Sequence, residues 1–175
     1  MDNPKCTYNI KAILQLKRVP TMQVLLVVYS YHHHNTEKIA EVFAKVLDSQ
    51  IKTPQQTDHE ELEAYDIVGF GAGIDSGKHY KPLLDFADTL PQVTGKKAFI
   101  FSTSGVSNPN YRTKIHSALR EKLQAKGYII LDEFNCHGFN TNSFLKYFGG
   151  MNKGRPNEED LKLAEEFAQT LKQNL

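Results

Sequence analysis

The chain has 175 residues, 40% of them hydrophobic and 23% charged, with a formal net charge of +1, which fits one globular domain with a substantial core. The near-neutral balance offers no basic patch for nucleic acid and no acidic tail, and no apolar run reaches the roughly 18 residues that cross a bilayer. Its two cysteines, Cys6 and Cys136, are too few for a disulfide framework and match no zinc spacing, so a cytoplasmic protein without membrane or nucleic-acid partners is expected.

Residues 1–21, MDNPKCTYNIKAILQLKRVPT, lack the continuous apolar segment of a signal peptide. They are expected to be an N-terminal extension in which IKAILQL is apolar enough to dock, leaving 22–175 as the domain. Gln23–Tyr29 is a nearly continuous run of Val and Leu, the mark of a strand buried on both faces. The turn YSYHHHNT follows, and the period then changes. Over 36–48, Ile39, Val42, Phe43, Val46 and Leu47 fall on one helical face, with Glu41 and Lys45 paired on the other. A short edge strand is expected near 51–53.

DIVGFG (66–71) predicts a second buried strand, followed by a Gly-rich loop and a helix from about Lys81 that carries Pro82 in its first turn. KAFIF (97–101) predicts a third strand. A polar loop, 102–109, leads to a helix over about 110–126, closed by Gly127 as a C-terminal cap. Tyr128–Phe134 predicts the next strand. Residues 136–156 read as a long irregular segment, of the kind that is often functional. The last helix opens on Pro156-Asn157-Glu158-Glu159-Asp160, where Asn157 caps and the acidic turn suits the helix dipole. Alternating strands and helices predict an α/β three-layer sandwich around a parallel sheet. In such sheets ligands sit at the carboxyl ends of the strands, which brings the loops 30–36, 71–80, 102–111 and 136–156 to one edge.

The first loop opens a helix whose leading N–H groups have no intrahelical partner and whose dipole favours an anion. Ser30, Asn35 and Thr36 add side-chain donors, so a phosphate monoester is one guest. The alternative is that Asn35 or Thr36 merely caps its helix. Three adjacent histidines on a turn point in different directions and do not share one metal. They can supply a tunable positive field beside a phosphate. GAGIDSG (71–77) has the spacing G-x-G-x-x-x-G and follows a later strand, so it misses the dinucleotide fingerprint. Its glycines suit either a tight turn or close approach of a planar ring. STSGVSNPNY (102–111) offers hydroxyls and amides but no base. Cys136 and His137 are neighbours on opposite faces of an extended chain. The chain has no G-x-S-x-G elbow and no G-x-x-x-x-G-K-[ST] loop. A phosphate turn with little acid–base machinery suits a cofactor that brings its own chemistry.

The segments VLLVVYSYHHHNTEKIA, YDIVGFGAGIDSGKHYKPLLDF, KKAFIFSTSG and GGMNKGRPNEEDLKLAEEFA resemble the flavodoxin family, over about residues 22–173. The resemblance implies a five-stranded parallel sheet in order 2-1-3-4-5 and FMN as cofactor. By resemblance, Ser30, Tyr31, His32, His33, His34, Asn35 and Thr36 wrap the phosphate. Ala72, Gly73, Ile74 and Asp75 would flank one side of the flavin ring, and Ser102, Thr103, Ser104 and Gly105 the other. His137, Gly138, Phe139 and the stretch through Gly149 would cover it, and Tyr80 or Tyr111 would stack on it. Asp75 would lower the potential by charge repulsion. The departures are His33-His34 where the family has Thr-Gly, the absence of Trp, and a near-neutral charge where the electron shuttles are acidic. The implied function is electron transfer to redox partner proteins, by a monomer or homodimer. The alternatives are an NAD(P)H-dependent flavin or quinone reductase, with Arg112 or Arg155 near the nicotinamide, and a domain that binds a partner without a cofactor.

Overall fold

The computed structural model describes residues 22–174; the expected extension 1–21 and its docking segment lie outside the described residues. Strand β1 (Val24–Tyr29) is buried along nearly its whole length, as its Val and Leu run requires. It pairs in parallel with the short edge strand β2 (Gln50–Lys52) on one side and with β3 (Ile67–Asp75) on the other. β3 then pairs with β5 (Lys96–Ser104), and β5 with β6 (Tyr128–His137), again in parallel. The spatial order is β2-β1-β3-β5-β6. Setting aside the two-residue strand β4 (Lys78–His79), which is antiparallel to β3, this is the expected 2-1-3-4-5 order.

Helices cover both faces. Helix α1 (Asn35–Leu47) buries Ile39, Ala40, Phe43 and Leu47. Together with α4 (Glu158–Gln173) it covers the face carrying Val24, Leu26, Val28, Phe99, Phe101 and Phe134. Helices α2 (Lys81–Thr89) and α3 (Pro109–Ala125) cover the face carrying Leu25, Val27, Val68, Phe70, Ala98 and Ile100. The helix starts follow local chemistry. Asn108 Oδ1 accepts from the Tyr111 amide at 2.8 Å, and Asn157 and Asp160 form a reciprocal capping box at the head of α4.

Three boundaries differ from the sequence reading. β3 runs on through Gly73, Ile74 and Asp75, so the expected Gly-rich loop is largely strand and hairpin. Ser76 (φ 50°) and Gly77 (φ 81°) are both left-handed, the requirement of the two-residue hairpin turn that lets β4 return along β3. β5 includes Ser102, Thr103 and Ser104 because the ladder satisfies their backbone: they pair with Asn135, Cys136 and His137 of β6. β6 accordingly extends three residues past Phe134. Within 136–156 the chain makes a 3-10 turn over Ser143–Phe148 and an isolated antiparallel bridge between Asn140 and Met151.

Candidate functional site

At the carboxyl edge of the sheet, one cleft is lined by Ser30, Tyr31, His32, Asn35 and Thr36 from the first turn and by Gly73, Ile74 and Tyr80 from the β3–β4 hairpin. Thr103, Ser104 and Gly105 from the end of β5, and Gly138, Phe139, Asn140 and Asn142 from the segment after β6, complete it. The strands place these residues together because β1, β3, β5 and β6 all end on the same edge.

The first turn is open to a ligand on its backbone. Among the described residues the N–H groups of His32, His33, His34 and Thr36 meet no protein acceptor, the Asn35 amide reaches only the His32 carbonyl at 3.4 Å, and the Glu37 amide reaches Ser30 Oγ at 3.3 Å. His34 stands at the N-cap position with no side-chain capping bond. Asn35 and Thr36 do not cap the helix either. Asn35 Nδ2 donates to the Phe139 carbonyl at 2.8 Å, and Thr36 Oγ1 meets Thr103 Oγ1 at 2.8 Å, so both side chains fasten the turn to neighbouring walls. Asn35 Oδ1 is buried and without a partner, an acceptor for which a bound molecule or water must provide a donor.

The histidines divide. His32 lines the cleft. His33 stacks on Phe139 with ring centroids 4.4 Å apart and meets Thr141 Oγ1 at 2.8 Å, holding the segment after β6 against the first turn. Burial, with the charges of His32, Lys38 and His34 behind it, pushes the His33 ring below the usual histidine range, opposite to the shift a phosphate neighbour would cause. His34 points to solvent and pairs with Glu37 at 2.5 Å. Both His33 (φ 54°) and His34 (φ 53°) are left-handed, a conformation that costs a side-chain-bearing residue about 1–2 kcal/mol. His34→Gly is therefore expected to raise stability by up to about 1 kcal/mol in a urea melt, because the exposed pair it removes contributes little. A loss of stability would show that the Glu37 contact outweighs the strain.

Of the other residues expected at the ring, Ala72 and Ser102 are fully buried in the sheet behind the cleft, and Asp75 is exposed at the end of β3. Those three positions do not line the cleft. Tyr80 does: its ring lies so close over Gly73 that a Cβ there would come within 2.6 Å of it. Tyr80 also makes an edge contact with Tyr29 at 5.9 Å. Burial, foremost, holds its hydroxyl above the usual tyrosine range. Gly105 is covered by Met151, and the bare edge of Gly138 faces Asn35 and Thr103. Asn140 and Asn142 fall in the stretch expected to cover the ring but were not singled out, because the irregular segment carries no periodic signal. Only its asparagines and glycines, typical of turns, hinted at them. Cys136 is buried, and burial lifts its thiol far above the usual cysteine range, which leaves it inert.

A doubly wound sheet whose first strand delivers a helix start with free amides, flanked by two glycine-bearing walls, defines a flavodoxin-like protein. A family model described as "Flavodoxin domain" matches residues 26–172, and the chain belongs to that family. An uncharacterised protein of Methanocaldococcus jannaschii is 45% identical over 153 residues, covering 87% of this chain and all of that protein. Among solved structures, oxidised Flavodoxin 2 from Bacillus cereus superposes with a TM-score of 0.65 at 20% identity, covering 87% of this chain and 99% of its own. The flavodoxin, WrbA-like protein from Agrobacterium tumefaciens gives 0.61 at 16% identity, covering 87% of this chain and 96% of its own. At these identities the structural likeness speaks for the fold.

Proposed function

We propose that the cleft binds flavin mononucleotide through its phosphate and that the protein carries electrons to redox partner proteins. The observation that carries this is the set of unpartnered N–H groups at His32, His33, His34 and Thr36, at the positive end of the α1 dipole. They fit a phosphate dianion without help from a lysine or arginine, none of which occurs between Ser30 and Glu37. Asn35 Oδ1 is placed to accept from a ligand hydroxyl, and Gly73 and Gly105 line the space beyond. Tyr80 and Phe139 offer apolar faces to a planar ring. When bound, FMN would supply the electron transfer, and the residues lining the cleft would hold it.

Titration with FMN and with riboflavin, followed by flavin fluorescence, tests the phosphate contribution. Several charge-assisted hydrogen bonds amount to about 3 kcal/mol, so FMN is expected to bind about 100-fold more tightly than riboflavin. Equal affinities, or colourless protein that ignores added FMN, would overturn the reading. Rapid mixing of the loaded protein with NADH and NADPH separates a carrier from a reductase, because a carrier's flavin is not bleached without a second protein.

A further inference from the structure

A directed chain of hydrogen bonds leads from the cleft wall into the buried interface between α3 and β6. Arg120, which can only donate, holds both oxygens of Glu133 at 2.5 and 2.8 Å. Burial opposes ionisation of Glu133, but the bonds and charges of His116 and Arg120 outweigh it and hold the carboxyl down at about 2. An ionised Glu133 can only accept, so the proton on its 3.0 Å contact with His116 Nδ1 belongs to the imidazole. Nε2 of the neutral ring is then a lone pair and accepts from the Ser102 hydroxyl at 2.7 Å. Ser102 Oγ in turn accepts from Asn135 Nδ2 at 2.9 Å, and the second hydrogen of that amide reaches Ser104 Oγ at 3.0 Å. The Ser104 hydroxyl spends its own proton on the Val106 carbonyl, closing the turn at the end of β5. Ser104 and Gly105 of that turn line the cleft. Among the described residues Asn135 Oδ1 is buried and meets no partner.

We propose that His116 is a positioning residue for the cleft: the neutral ring forces Asn135 to present its amide hydrogens to Ser104, and the protonated ring reverses the chain and withdraws them. A proton taken from solvent at Nε2 makes that nitrogen a donor to Ser102 Oγ. The Ser102 hydroxyl then needs a new acceptor. Turning over the Asn135 amide brings its unused Oδ1 to that place, and the bridge to Ser104 is lost. The groups facing His116 are His79, stacked on it from β4 at 4.9 Å, Glu133 from β6, and Arg112 and Arg120 from its own helix. Burial is the largest influence and holds the ring below the usual histidine range, with Arg120 and Arg112 adding to it and Glu133 opposing. The reversal therefore belongs to mildly acidic pH, below about 6.5.

That the cleft's ligand is FMN rests on the function proposed above; the polarity of the chain does not. FMN affinity is to be measured at pH 7.5 and pH 5 for the natural protein, His116→Gln and Asn135→Asp. Glutamine can accept from Ser102 and donate to Glu133 without titrating. Loss of one bridging hydrogen bond is worth roughly 3- to 10-fold, and the natural protein is expected to weaken by that much more on acidification than His116→Gln does. Asn135→Asp, which offers Ser104 only acceptors, is expected to show the weakening already at pH 7.5. A pH response unchanged in His116→Gln overturns the proposal. Ring-nitrogen NMR of the ligand-free natural protein decides independently. His116 protonated on Nδ1 alone at neutral pH is expected, and a proton on Nε2 alone overturns the chain's direction. Failure of the natural protein to bind FMN at any pH would overturn the functional reading and leave the NMR result to judge the polarity.

Discussion

Glu133→Leu is expected to destabilise the fold by about 3–5 kcal/mol, the cost of removing one partner from a buried ion pair. Glu133 is the common acceptor for Arg120 and for His116, which is fully buried. Without it the guanidinium loses its anion and the imidazole N–H its acceptor. Urea unfolding at pH 7 measures the loss; a change below about 1 kcal/mol would mean that Arg120 and His116 find other partners. The pH dependence has a defined sign. A carboxyl lowered from 4.5 to about 2 gives stability that is present above 4.5 and lost as pH falls through about 2. That acid phase should vanish in Glu133→Leu. His79 and His116 are both held below the ordinary histidine value, mainly by burial. The unfolded chain therefore takes up protons first, and their contribution is lost as pH falls below about 6.5. Glu133→Leu leaves His79 and His116 buried and removes the charge that raises both, so the loss in that range persists and is at least as large.

Gly71→Val is the second large effect expected, about 2–4 kcal/mol of destabilisation. A Cβ at Gly71 would come within 2.2 Å of the Phe101 ring. That ring cannot retreat, because Phe43 and Phe99 pack on it at 5.0 and 5.9 Å. Forcing extra methyls into a filled core costs about 1–3 kcal/mol, and a strand that must shift as a whole adds to it. Gly71 lies two residues before Gly73, so the same shift should also weaken FMN binding. Thermal unfolding together with flavin titration checks both, and a variant of natural stability would mean that the Phe101 ring relocates freely.

Periodicity and turn chemistry carried most of the architecture. The Val and Leu run of β1, the helical stripe of Ile39, Val42, Phe43, Val46 and Leu47, the Asn157 cap and the glycine after α3 each act over a few residues. Sequence order is enough to read them. The strand alternation with helices then implied the parallel sheet and the one edge where its strand-end loops gather. The boundaries that differed are those set by partners distant in the chain. Ser102–Ser104 are strand because β6 runs beside them, and Gly73–Asp75 because β4 folds back upon them.

The first turn was legible as a helix start, but the sequence did not separate His32, which lines the cleft, from His33 and His34, which face Phe139 and solvent. Nor did it show that Asn35 and Thr36 fasten walls together instead of capping. What the sequence determined alone is the local part: which segments are strand or helix, and where free amides emerge. What only the tertiary structure decided is which polar groups meet across 14 to 104 residues of chain, as in Ser102 with the His116 ring and Asn35 with the Phe139 carbonyl. Hydrogen bonds are short-ranged and directional, so their partners are fixed by packing and leave no periodic trace in the order of residues.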